Sequence, residues 1–316
     1  MSAALANYLT VTGIFILCTW ALYLPYRMGQ LHFMVIAAMM ISAYFGAVFS
    51  GAVVSGSPVQ PAIMVNFHWP FLAVLVCGVL LSALLGFLVS LAIGDAPCFT
   101  VVIVGFTVMY LIRAVAENTS ALGRTFGMFR VPLIIAGLGS AHNRLFMVGL
   151  VYFFVLLAGF LIFRFDHSKL GRAASLIFID RDLAASQGIN IKKMGILLQT
   201  ASGALGGLAG ILYLYTLRAI SPGFITFRTI ALFMTILFVG GRATPWGSLL
   251  AAPILWGLPL IVPESLQVWK NVFYALALII FLLLKPEGII TRPFLRRLHR
   301  FFAPLFNFRK NKKGEH

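Results

Sequence analysis

Charged residues are scarce in this chain. They make up 10% of its 316 residues, and eight of them are acidic. All eight acidic residues lie at the ends of the apolar segments, in loops or in the tail. This absence excludes a relay of intramembrane carboxylates for protons and a ring of charges that filters ions. If such a chain moves a solute, we expect the energy to come from a partner protein.

The signature motifs of common enzymes are also missing. The sequence has no Gly-x-x-x-x-Gly-Lys loop for ATP, no His-Glu-x-x-His and no Gly-x-Ser-x-Gly. Its six histidines are far apart, and Cys18, Cys77 and Cys98 lack the spacing of a metal site. We therefore expect a chain that is not an enzyme and has no metal or cofactor of its own, so that any ATP is bound by partner subunits.

Apolar residues are abundant, at 61% of the chain with a mean hydropathy of +0.99. A soluble domain cannot bury so much apolar surface, so the composition predicts an all-α polytopic integral membrane protein. The first apolar segment lacks the basic start and cleavage site of a secretory signal, and we expect it to be retained. About nine spans are predicted, within a range of eight to ten: 8–24, 31–54, 71–93, 99–112, 145–163, 196–217, 230–240, 247–262 and 271–284.

The net charge of +16 is concentrated at span ends, in a central polar segment and in the C-terminal tail. This pattern predicts contact with anionic lipid rather than with nucleic acid. Arg27 marks the inner end of the first span, which places the N terminus outside and the loop 113–144 outside as well. We expect a transmembrane domain over residues 1–290 and a basic cytoplasmic tail over residues 291–316.

Residues 164–195, called the polar island below, have the sequence RFDHSKLGRAASLIFIDRDLAASQGINIKKMG. Such dense charge must lie at a membrane surface, and its basic residues favour the cytoplasmic side. The composition predicts one or two short surface helices between Lys169 and Ile191, with Gly188 as a stop. A solvated connector is the simpler interpretation, but connections of this length usually have a function.

Two further sets of residues stand out in the apolar segments. Small residues at helical spacing predict close helix packing, within this chain or against a second copy. They are Gly203, Gly206, Gly207, Gly210, Gly240 and Gly241. The last two lie at the end of the short span 230–240, which we expect to be tilted or broken there. The candidate residues of a translocation path carry hydroxyl groups that could contact a solute. The alternative is that these hydroxyls bond the backbone of their own helix. They are Ser42, Tyr44, Thr107, Thr200 and Ser202.

Four landmarks in sequence order resemble the LivH/LivM group of permeases of bacterial branched-chain amino acid ABC importers, and LivM more than LivH. They are GQLHFMVIAAMMISAY from Gly29, the island segment GRAASLIFIDRDLAASQGINIKKMG, SPGFITF followed by GGRATPWGS, and LKPEGI. The resemblance covers about residues 29–290. The chain departs from the family pattern at Ser175 and Phe178, where basic residues are common, and at Ala185, where glutamate is common.

The resemblance implies a permease with a fold like that of type II ABC importers, in the bacterial inner membrane. It implies as partners a second, LivH-like permease subunit, two cytoplasmic ABC ATPases and a periplasmic solute-binding protein. The solute is a branched-chain amino acid or a related small polar molecule. In this family the island docks in a cleft of the ATPase, which implies coupling roles for Gly171, Arg172, Asp180, Arg181, Asp182, Gly188 and Ile189.

Two alternatives stay open. A self-contained channel or facilitator for a small neutral solute, such as urea or an amide, also needs no intramembrane charge. A membrane scaffold held by the basic tail is a third hypothesis. The island discriminates between them, because a coupling device requires a cognate ATPase and a channel does not.

Overall fold

Helices account for nearly all the regular structure of the described chain. The computed structural model describes residues 2–54, 69–135, 140–241 and 244–261. Its helices are α1 Ala3–Tyr26, α2 Met34–Phe49, α3 Phe71–Ile93, α4 Cys98–Asn118, α5 Ser140–His167, α6 Lys169–Ile179, α7 Arg181–Ser186, α8 Ile191–Leu217, α9 Phe227–Gly240 and α10 Gly247–Ile261. Over these residues, α1, α3, α4, α5 and α8 are long and apolar enough to cross a membrane. The predicted all-α polytopic class is confirmed.

Local sequence explains where several helices begin and end. α3 and α4 each follow a proline, Pro70 and Pro97, whose fixed φ suits the entry to a helix. Pro25 lies in the last turn of α1, and Gly29 follows it with a φ of +80°. Glycine adopts this left-handed conformation without the steric cost of a side chain, so the chain can turn sharply into α2.

Several boundaries differ from the sequence prediction. α4 continues through Arg113 to Asn118, because Arg113 pairs with Glu117 one turn later at 2.8 Å and neutralises the polar end. α8 begins at Ile191, inside the island, and α2 is shorter than its predicted span. The predicted span 271–284 and the basic tail 291–316 lie outside the described residues.

Three two-residue strands add a small sheet that the all-α prediction did not include. β1 Val53–Val54, β2 Met128–Phe129 and β3 Ala219–Ile220 pair antiparallel in the order β1-β2-β3. β1 follows α2 and β3 follows α8, whereas the island precedes α8. The sheet therefore lies at the end of the bundle opposite the island. These two ends are called the sheet end and the island end below.

The chain forms two compact units, Met1–Met234 and Thr235–His316. In the first, most residues of α1, α2 and α8 are buried, whereas α3, α4 and α5 expose long apolar faces. Exposed apolar helix faces suit lipid or another membrane subunit. The predicted division at residue 290 is not tested by this partition, since it lies outside the described residues.

Candidate coupling surface and buried polar network

The helices of the polar island are each started by a polar side chain. Ser168 Oγ accepts from the N–H of Gly171 at 3.2 Å, and Asn190 Oδ1 accepts from the N–H of Lys193 at 2.9 Å. Asp180 Oδ1 accepts from the N–H groups of Asp182 and Leu183 at 2.9 and 3.0 Å. Such caps satisfy the first N–H groups of a helix and contribute about 1 kcal/mol each. The sequence therefore folds this segment as two surface helices, α6 and α7, followed by α8.

An apolar cluster fixes the island to the bundle. Ala174, Ile177 and Ala184 of α6 and α7 are buried with Met194 and Leu198 of α8, and Met28 after α1 joins them. The same two helices leave Ile179 and Leu183 exposed. Apolar side chains left exposed beside charges are typical of a protein-docking surface. The island is thus a firmly seated platform with an uncovered face.

The seven predicted coupling residues divide into two groups. Arg172, Asp180, Asp182 and Gly188 are exposed, and Gly188 ends α7 with a φ of +78°. Gly171, Arg181 and Ile189 instead hold the island in place. A side chain at Gly171 would collide with the backbone of Phe165 and Asp166, and Ile189 packs against the apolar cluster.

Arg181 links the island to the turn between α3 and α4. Its Nη2 donates to the carbonyl of Asp95 at 2.6 Å, and its Nη1 donates to that of Ala96 at 3.3 Å. The same turn receives Gln30, whose Nε2 donates to the carbonyls of Gly94 and Ala96 at 3.2 and 3.0 Å. Arg181 and Gln30 therefore both anchor this turn, and Arg181 joins it directly to the start of α7.

Gln30 continues this contact into the centre of the bundle. Its Oε1 accepts from Nε2 of Gln199 on α8 at 2.8 Å, and both amides are buried. A continuous chain of hydrogen bonds thus runs from Arg181 through the Ala96 carbonyl and Gln30 to Gln199. Buried polar networks of this kind fix one arrangement of the helices, because every broken bond leaves a desolvated group unpaired.

A second node joins α1, α5 and α6. Arg27 Nε pairs with Asp166 Oδ1 at 3.1 Å, and Tyr23 donates to Asp166 Oδ2 at 2.8 Å. Arg27 Nη2 also donates to Ser175 Oγ at 2.6 Å. The resemblance described above implies a basic residue at the position of Ser175, and a second cation there would face Arg27. Serine at this position avoids that repulsion and accepts a hydrogen bond from Arg27 instead.

The five candidate path residues also divide. Ser42 donates to the carbonyl of Met39, and the exposed Thr107 donates to the carbonyl of Ile103. Both therefore behave as helix hydroxyls that bond their own backbone. Three others differ, since within the described residues their buried hydroxyl oxygens have no hydrogen-bond partner: Tyr44, Thr200 and Ser202. These three oxygens are able to bind water or a polar solute inside the bundle.

The glycines of α8 face two different helices. A Cβ at Gly203 or Gly207 would collide with Ser82 of α3, whereas one at Gly206 or Gly210 would meet the backbone of α2. In the second unit, Gly240 lies against Gly247, and Gly241 has a φ of +118°. The contacts of the α8 glycines are made within the chain itself.

Several residues of the network were not identified from the sequence. Gln199 is a polar side chain within an apolar segment, and Gln30 directly precedes one; polar groups at such positions mark functional or structural contacts in membrane proteins. Asp180 was predicted as a coupling residue but not as an N-cap, and Asn190 was not predicted at all; both precede helices, which is the sequence signal of a cap. The pairing of Arg27 with Asp166 joins residues far apart in sequence, and no local pattern indicates it.

The chain is similar to known membrane transport proteins. The family model described as "Branched-chain amino acid transport system / permease component" matches residues 4–284. Two relatives, from Escherichia coli (strain K12) and Salmonella typhimurium, are named "High-affinity branched-chain amino acid transport system permease protein LivM". Each is 28% identical over 158 residues, which cover 48% of this chain and 36% of the relative. The chain thus spans about a third of the length of these relatives, and no solved structure matches it.

Proposed function

Because this chain belongs to the family of branched-chain amino acid transport permeases, we propose that it imports branched-chain amino acids or a related small polar solute. Family membership and its apolar helices make it a multi-pass transport subunit of the bacterial inner membrane rather than an enzyme. In this proposal two cytoplasmic ATPases bind the polar island, a second permease subunit completes the membrane domain, and a periplasmic protein delivers the solute.

The exposed face of the island carries this proposal. Arg172, Asp180 and Asp182 stand exposed beside apolar side chains, and the opposite face is packed into the bundle. An ATPase that moves this face acts through Arg181 on the α3–α4 turn and through Gln30 on α8. Coupling by such rigid-body movement needs no ion-binding side chain within the spans.

The path in this proposal uses the buried hydroxyls of Tyr44, Thr200 and Ser202. Within the described residues these oxygens are unpaired, so a passing solute or water replaces bonds that the protein does not supply. A self-contained channel would use the same hydroxyls. The two functions differ in whether an ATPase must bind the island.

The test combines recovery of partners with a charge change on the island. The tagged chain is extracted gently from its native membrane, and associated proteins are identified by mass spectrometry. We expect a P-loop ATPase and a second permease in stoichiometric amounts. Charge pairs at such a surface determine register and specificity, so Asp182→Lys should lower solute uptake at least about tenfold while the chain remains in the membrane.

The choice of the second variant follows from the cap geometry. Asp180→Lys would remove the cap of α7 as well as a charge, whereas Asp180→Ser removes the charge and keeps a capping oxygen. Combining Asp180→Ser with Asp182→Lys therefore tests docking rather than folding. Arg124→Glu, at an exposed position of the sheet end, is the control. Normal uptake by the double variant, or recovery of the chain alone in several mild detergents, would contradict the proposal.

A further inference from the structure

A cavity of about 160 Å³ with both polar and apolar lining lies at the sheet end of the Met1–Met234 unit. Residues near the start of α1 and α5, the end of α8 and the segment after β2 form its walls. None of the described residues that line it is acidic, whereas two, Arg144 and Arg218, are cationic. A cavity of this size holds a small solute rather than a drug-sized molecule or a peptide.

Asn143 gives the cavity an unused acceptor. Its side chain lies in the lining and is only 6% exposed, and within the described residues its Oδ1 has no hydrogen-bond partner. A buried amide oxygen without a donor costs about 1–3 kcal/mol. An ammonium group in the cavity would supply the missing N–H donor.

The two arginines give the cavity its positive charge. Across the described part of the chain, neither forms an ion pair with a carboxylate. Arg218 is held in place by Val131, because its Nε donates to the Val131 carbonyl at 2.7 Å and its own carbonyl accepts from the Val131 N–H at 3.3 Å. The side-chain bond uses one of five guanidinium N–H donors, and guanidinium groups bind carboxylates with two parallel bonds.

Part of the cavity lining is apolar. Leu133, Met147 and Tyr215 contribute to its lining, and Met147 and Tyr215 are buried. The cavity thus combines cations for a carboxylate, an acceptor for an ammonium group and an apolar wall for an aliphatic side chain.

We propose that this cavity is an entry site for the zwitterion of an apolar amino acid. Arg144 and Arg218 bind the carboxylate, Asn143 Oδ1 accepts from the ammonium group, and the aliphatic side chain lies against Met147 and Tyr215. This inference rests on the proposed import of branched-chain amino acids. The arginines would also attract carboxylates from solution, since a cleft lined by one sign of charge raises the local concentration of counter-ions.

Binding to the purified full-length chain, with whatever subunits co-purify, tests the site directly. Radiolabelled L-leucine is the probe, and unlabelled L-leucinol, which keeps the ammonium group and side chain but lacks the carboxylate, is the competitor. Arg144→Gln should weaken L-leucine binding at least about tenfold, the loss of a charge-assisted bond, and leave competition by L-leucinol unchanged. Asn143→Leu should weaken both, because both ligands carry the ammonium group.

Arg124→Gln is the matched control, since Arg124 is an exposed arginine at the same end that does not line the cavity. Each variant must elute from size-exclusion chromatography like the parent chain. Equal weakening of both ligands by Arg144→Gln, or unchanged L-leucine binding, would overturn the site.

If the complex holds ATPases and imports L-leucine while the chain binds none, the site fails and the proposed function stands. If the chain binds L-leucine but recovers no ATPase, the importer fails and the site stands.

Discussion

Arg27 and Asp166 form an ion pair whose environment differs sharply from that of the other pair in the described chain. Their side chains are 10% and 16% exposed, whereas Arg113 and Glu117 are 32% and 33% exposed. Removal of one partner from a buried pair leaves an uncompensated charge, and this usually costs more than the pair itself contributes. A partly exposed pair one helical turn apart contributes much less.

Asp166→Asn should therefore destabilise the chain clearly. It leaves Arg27 with a neutral partner in a nearly buried position and weakens the bond from Tyr23. We expect a loss of about 2–3 kcal/mol, seen as a fall of roughly 5 °C in the thermal unfolding midpoint of the purified protein, followed by tryptophan fluorescence.

Glu117→Gln is the matched control for this change. Its pair is about one-third exposed and lies within one helix, so a loss of about 0.3–0.5 kcal/mol is expected. The unfolding midpoint should then stay within about a degree of that of the parent chain. Equal shifts in the two variants would show that burial does not govern the Arg27–Asp166 pair.

At the scale of the elements, α8 is the helix on which the others pack. Its two pairs of glycines face α3 and α2, so both neighbours approach its backbone closely. Between helices in a membrane the hydrophobic effect contributes little, and such close contact supplies van der Waals energy instead. A side chain at Gly203, Gly207 or Gly210 would overlap atoms of the facing helix.

Gly210→Ala should be costly for this reason. The new Cβ would collide with the carbonyl of Met39 and the hydroxyl of Ser42, which are backbone and buried side-chain atoms. Overpacking of this kind costs about 1–3 kcal/mol, and we expect a lower unfolding midpoint together with reduced uptake.

Gly149→Ala on α5 provides the contrast, because a Cβ there meets no atom within 4 Å. Alanine favours helix over glycine by about 1 kcal/mol, so this variant should be as stable as the parent chain or more stable. A stable Gly210→Ala variant would contradict the close packing of α8 on α2.

At the scale of the whole molecule, the island and the sheet lie at opposite ends of the bundle. The sheet end carries several arginines: Arg113, Arg124, Arg130, Arg144 and Arg218. Basic loops ordinarily stay in the cytoplasm, so charge counting alone leaves the orientation ambiguous. The bonds of Arg113 to Glu117 and of Arg218 to Val131 give two of these arginines a structural reason to be there.

Labelling of introduced cysteines tests the orientation. With Cys18, Cys77 and Cys98 replaced by alanine, Arg124→Cys should react with a membrane-impermeant maleimide in intact cells stripped of their outer membrane. Asp182→Cys should react only in inverted vesicles, because the proposed orientation places the island in the cytoplasm. Both positions are exposed, so lack of reaction reports sidedness. The reverse pattern would invert the topology and place the proposed entry cavity inside.

How much was predictable differs from element to element. The span 71–93 coincides with α3, since a long apolar run bounded by proline and glycine leaves few alternatives. The end of α4 was misplaced because the sequence shows charges at Arg113 and Glu117 but not that they pair along a helix. In the candidate site, the exposed Asp182 and the inward-facing Arg181 are adjacent in sequence, and only packing distinguishes their roles.

The sequence by itself determined that this protein resides in a membrane, that it is helical, and that its charge is concentrated in a segment outside the spans. These properties follow from composition and local periodicity, which need no knowledge of the fold. The tertiary structure alone decided that Arg27 meets Asp166, that Gln30 joins the α3–α4 turn to Gln199, and that Asn143 shares a cavity with two arginines. Such contacts depend on how distant helices pack, and packing is a property of the whole chain rather than of any segment.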